Sequence, residues 1–76
     1  NHLSIYPNPT QNGIWIQSSQ EIDAAQKNMI EIYSVSGSSV LTTPLNQTLQ
    51  YVDFNDFPKG IYLLKIKDKT VQIVKQ

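Results

Sequence analysis

An all-β sandwich of about seven short strands in two antiparallel sheets is the fold class this sequence predicts, and three observations predict it. Apolar residues recur at period two along most of the chain, which is the strand signature. Turn-forming clusters of Pro, Asn, Gly, Ser and Asp separate those runs every few residues. A single open sheet would leave one face of every strand unburied, so two packed sheets are the natural solution.

The strands follow in order: Leu3–Tyr6, Gly13–Gln17, Met29–Tyr33, Ser39–Thr42, Leu49–Asp53, Ile61–Lys67 and Val71–Val74. The β-formers Ile, Val, Tyr, Thr and Trp concentrate there. Between the first two lies Pro7-Asn8-Pro9-Thr10-Gln11-Asn12-Gly13, which cannot continue a ladder because its prolines lack amide donors. Asn12-Gly13 adopts positive φ at little cost, so a turn is expected there. Ser18–Asn28 has no apolar face beyond Ile22 and two alanines and reads as a loop. Ser36-Gly37 divides the third strand from the fourth. Asn55-Asp56-Phe57-Pro58-Lys59-Gly60 is a turn cluster before the sixth, and Asp68-Lys69 closes the last hairpin. Period two places Ile14, Ile16, Ile30, Ile32, Tyr62, Leu64 and Ile66 in the core. Glu31, Lys65 and Lys67 face water.

With 76 residues the chain makes one domain. A domain of this size buries only about 60% of its unfolded surface, so its stability margin is thin. It has no Cys, and packing alone must hold it. A formal net charge of zero argues against nucleic acid as a partner of the whole domain. No apolar run approaches the roughly 20 residues of a membrane helix, so no membrane insertion is expected. The first residue is Asn1 and the one Met is Met29, so the chain reads as a fragment or a processed piece, and any export signal that operated at the N-terminus would lie on the missing part.

Each candidate chemistry competes with a plainer role. His2 is the only His, and a catalytic triad needs a His held rigidly by its neighbours, so no catalytic residue is assigned. Paired carboxylates for glycoside hydrolysis need a cleft that so small a sandwich has little room for. Asp53-Phe54-Asn55-Asp56 offers oxygen ligands to calcium, but an Asx turn explains the same residues and the spacing of a calcium loop is missing. No metal or cofactor is therefore assigned. Trp15 alternates with Ile14 and Ile16, so it points outward, either as a cross-strand packing residue or as a stacking surface for sugar rings. Asn46-Gln47-Thr48 fits the N-glycosylation tripeptide, a pattern that often arises by chance. Five of the six lysines, Lys59, Lys65, Lys67, Lys69 and Lys75, lie from position 59 onward. They read equally as edge protection and as a basic strip for an acidic partner surface.

Three segments together resemble a known family. Tyr6-Pro7-Asn8-Pro9 opens the pattern, and Ile30-Glu31-Ile32-Tyr33 follows with Gly37 and Val40 behind it. Phe57-Pro58-Lys59-Gly60-Ile61-Tyr62-Leu63-Leu64-Lys65-Ile66 then leads to Val71-Gln72-Ile73-Val74-Lys75-Gln76. The order and spacing resemble the type A C-terminal sorting domain of type IX secretion cargo. The resemblance implies an Ig-like sandwich fused behind an N-terminal cargo domain and exported through the periplasm to the cell surface or the medium. It implies an outer-membrane shuttle and translocon proteins as partners, and a sortase-like cysteine peptidase that removes the domain. Its motif positions are Pro7, Asn8, Pro9, Gly60, Tyr62 and Lys75. With Lys65, Lys67 and Gln76 added from the basic terminal hairpin, these are the expected recognition residues. The terminal strand would offer backbone groups for β-augmentation, and the prolines would stiffen an extended junction with the cargo. The competing reading is an accessory Ig-like or fibronectin-like spacer, or a carbohydrate-binding module, of an extracellular enzyme or adhesin.

Overall fold

The computed structural model describes residues 3–18 and 28–76. The expectation of a loop over Ser18–Asn28 falls almost wholly outside them. Seven strands form: β1 (Leu3–Tyr6), β2 (Gly13–Ser18), β3 (Met29–Ser34), β4 (Ser39–Pro44), β5 (Leu49–Asp53), β6 (Gly60–Ile66) and β7 (Lys69–Lys75). No helix occurs among the described residues. One sheet has the order β1-β2-β5 and the other β4-β3-β6-β7, with every pairing antiparallel. This is the two-sheet sandwich that the alternation predicts, consistent with an Ig-like fold.

The core follows from the pleat, because alternate side chains of each strand point to one face. Ile14 and Ile16 of β2 meet Ile30 and Ile32 of β3 and Tyr62, Leu64 and Ile66 of β6, all of them buried. Each fully buried Ile contributes roughly 1.5–3 kcal/mol of transfer free energy. The core also takes in Leu45, Val52, Phe54 and Ile73. Phe54 lies just past the end of β5, where the chain leaves one sheet for the other. It packs against Phe57 and Tyr62 at centroid distances of 4.8 and 5.8 Å. The Tyr62 hydroxyl donates to the Pro58 carbonyl and so pins this crossover to β6. Among the described residues, no buried side-chain nitrogen or oxygen lacks a hydrogen-bond partner.

Three local expectations are corrected. The last hairpin turns at Lys67-Asp68 and not at Asp68-Lys69, since Ile66 pairs with Lys69. Lys67 itself takes a positive φ of 56°. β6 accordingly spans Gly60–Ile66, beginning one residue before the predicted strand and ending one residue earlier. Gly13 is not a positive-φ turn residue; such backbone occurs at Gly37, Gly60 and Lys67. Glycine is required at position 13 because a Cβ would collide with the Tyr51 hydroxyl and the Val52 carbonyl oxygen.

Candidate functional site

The segment between β1 and β2 leaves its own sheet and lies along the outer edge of β7. Asn8 acts there as a substitute for backbone. Its side-chain Nδ2 donates to the Gln72 carbonyl at 2.8 Å, and its Oδ1 accepts from the Val74 N–H at 3.0 Å. Thr10 continues the clip as a parallel bridge to Lys75. The Thr10 N–H donates to the Val74 carbonyl at 2.8 Å, and its carbonyl accepts from the Gln76 N–H at 2.7 Å. Three polar backbone groups on the terminal part of β7, and the N–H of Gln76 just beyond it, are thereby paired.

Residue chemistry explains why this segment can do so. Pro7 and Pro9 have no N–H to leave unpaired, and their peptide bonds with Tyr6 and Asn8 are cis. Thr10 is 2% exposed, and its hydroxyl would be costly to bury alone. That hydroxyl donates to the Gly13 carbonyl and accepts from the Gly13 N–H at 3.0 Å, which closes the loop onto β2. The Asn12 carbonyl accepts from the Phe54 N–H at 2.8 Å and ties the same loop to the core plug.

On the other side of β7, Lys75 pairs with Gly60. Gly60 has a φ of 152°, which favours glycine, although a Cβ there would meet only open space. Pro7, Asn8, Pro9, Gly60, Lys75 and Gln76 therefore converge at one end of the sandwich, although they are remote in sequence. All but the half-buried Lys75 are exposed.

Other expected residues lie elsewhere. Tyr62 is 5% exposed, and its hydroxyl holds the crossover through the Pro58 carbonyl. Lys65 and Lys67 sit toward the opposite end of the β6–β7 hairpin. At roughly 3.3 Å per residue, Lys67 is about 23 Å from Gly60. The lysines are thus two groups and not one strip, and Lys67 and Lys69 each have an interaction partner. The prolines do not form an extended junction, because they lie between β1 and β2 and are clipped to β7. The terminal half of the β7 edge is likewise already paired and is not an open template for β-augmentation.

The residues weighed for other chemistry also find places. Asp53 Oδ1 accepts from the Asn55 N–H at 2.8 Å, which is the Asx turn. Among the described residues, no group of three or more His, Cys, Asp or Glu could hold a metal ion. The Glu31 carboxylate accepts a hydrogen bond from the Tyr33 hydroxyl at 2.9 Å, and this bond holds that hydroxyl's pKa above the usual tyrosine range. Trp15 is 40% exposed and packs across the strands on Tyr51 at a centroid distance of 5.0 Å.

Comparison with known proteins identifies the family. Residues 4–76 match the family described as the secretion system C-terminal sorting domain. The chain is 36% identical over 72 residues to a funoran endo-beta-hydrolase of Wenyingzhuangia aestuarii. That match covers 93% of this chain and only 9% of the hydrolase. No solved structure matches. Domains of this family are in general non-catalytic; they are attached to an N-terminal cargo domain and engage the secretion system. The chain belongs to the secretion system C-terminal sorting domain family, and it is a sorting signal for type IX secretion that takes its cargo to the cell surface or the extracellular space.

Proposed function

We propose that the secretion system reads this domain at the end of the sandwich where Pro7–Thr10, Gly60 and Lys75-Gln76 meet. The observation that carries the proposal is the clip of Asn8 and Thr10 onto β7, which joins the first and last motifs of the family pattern into one surface. A partner docking there meets a fixed shape with two prolines, a glycine and one lysine, and it needs no free strand edge. Preorganisation of this kind lowers the entropy lost on binding.

In this reading the 76 residues are a single C-terminal domain without catalytic activity, joined to an upstream cargo domain. The outer-membrane shuttle and the translocon recognise the clipped end, and a sortase-like cysteine peptidase then removes the domain. Lys65, on the inner strand β6, and Lys67, in the turn at the far end of the hairpin, serve solubility.

The test is export of a periplasmic reporter carrying the domain in a host with the secretion system. Asn8→Ala is expected to reduce export strongly, and Lys65→Ala to leave it unchanged. Unimpaired export of a folded Asn8→Ala, Pro7→Ala, Pro9→Ala variant would place recognition elsewhere.

A further inference from the structure

The loop that clips β7 also forms one wall of an open cleft of about 450 Å³ on the outer face of the smaller sheet. Its volume falls within the roughly 300–1,000 Å³ of small-molecule sites. Trp15 and Tyr51 line it from β2 and β5, with Gln11, Asn12, Gly13 and Gln76 around them. Among the described residues, no charged side chain lines it.

The aromatic pair is held in place. Trp15 and Tyr51 are register partners, and their ring planes meet at 56°. The Tyr51 hydroxyl lies against Gly13, in space that a Cβ would claim. Glycine at that position therefore seats the tyrosine ring, and Trp15 supports it from the other side. Both rings remain exposed, Trp15 at 40% and Tyr51 at 43%. Gln11 and Asn12 are exposed beside them, and their side-chain amides have no hydrogen-bond partner among the described residues.

We infer that this cleft, which shares Pro7, Pro9, Thr10 and Gln76 with the proposed sorting surface, binds a neutral sugar ring through its other wall, an activity additional to sorting. A pyranose has an apolar C–H face suited to an aromatic surface and a rim of hydroxyls suited to amides. An anionic ligand such as a phosphate, a nucleotide or a sulfated sugar would call for cations, and the described residues of the lining include none. The polar rim and the openness of the cleft also suit a sugar better than an apolar peptide anchor, which prefers a closed, dry pocket.

Trp15 is the one tryptophan of the chain, so its fluorescence reports the cleft directly. The 76-residue chain is titrated with cellohexaose, agarohexaose, a κ-carrageenan hexasaccharide and a proline-rich decapeptide. At least one neutral hexasaccharide is expected to shift the Trp15 emission saturably, while the sulfated sugar binds no tighter. Tyr51→Ala, checked for folding by circular dichroism, is expected to weaken binding roughly tenfold, the scale of one aromatic contact. Gln11→Ala, an exposed change that leaves the fold intact, is expected to weaken it severalfold. Absence of saturation by both neutral sugars overturns the inference. So does tighter binding of the sulfated sugar, or saturation by the peptide alone. Binding by Tyr51→Ala and Gln11→Ala equal to the parent overturns it as well. Export of the same variants is expected to match the parent, so failure of sugar binding is distinguishable from failure of the sorting surface.

Discussion

The two ends of the β6–β7 hairpin are built from opposite materials. At one end Gly60 of β6 pairs with Lys75 on one side of β7, a loop that returns from the first strand lies along the other side, and four backbone groups of Gln72, Val74 and Gln76 are paired there. At the other end a two-residue loop, Lys67-Asp68, projects with exposed charged residues on either side. The comparison teaches that charge density and structural constraint fall at different ends of one small β domain. The lysine-rich end owes its shape to one turn, whereas the clipped end has a shape that residues remote in sequence maintain together.

Breaking the clipped end should have the largest effects. Thr10→Val removes a buried hydroxyl and leaves the Gly13 N–H without its acceptor, which costs about 1–3 kcal/mol. For a domain this small the melting temperature should fall by roughly 10 °C, measured by circular dichroism. Asn8→Ala is expected to cost about 1 kcal/mol, because its two bonds are exposed. Its signature is local: the Val74 N–H should lose hydrogen-exchange protection, while amides within the β3–β6 pairing keep theirs. Uniform loss of protection instead would mean that the clip is inseparable from the core.

Changes at the turn end should be smaller, and one should have the opposite sign. Lys67→Gly relieves a positive φ but adds freedom to the unfolded chain, so a gain of a few tenths to about 1 kcal/mol is expected in chemical denaturation. Lys65→Ala should stay within about 0.5 kcal/mol of the parent. If Lys65→Ala reduces reporter export as much as Lys75→Ala does, the contrast between the two ends fails as an account of recognition.

Most of the sandwich was legible because period two is a local signal. Ile14, Ile16, Ile30, Ile32, Tyr62, Leu64 and Ile66 all lie where alternation places them. Phe54 did not stand out, since it follows the last residue of β5 inside a polar turn cluster, and no periodicity marks it. Three aromatic residues within nine positions, Phe54, Phe57 and Tyr62, were the available cue. The lysines read as one strip because sequence proximity hides that a hairpin sends its two ends apart. The use of Asn8 was beyond reach for a different reason. An amide that imitates a peptide unit is recognisable only when the strand that it completes is known, and that strand lies at the other end of the sequence. Gly13 was legible as a glycine with a purpose, but its purpose is contact with Tyr51 and Val52 and not backbone freedom.

The clip has a consequence for folding. Its side-chain bonds join residues separated by 64 and 66 positions, close to the largest separation that the chain contains. Closing so long a loop carries an entropic cost that a few hydrogen bonds cannot meet alone, so the contact forms only after the two sheets hold its partners together. A chain that stops before Val74 has no group to accept the Thr10 N–H, whatever the state of its other strands. The surface at that end is therefore a record of completion: it exists only once the polypeptide has been synthesised through its last strand and has folded around its core.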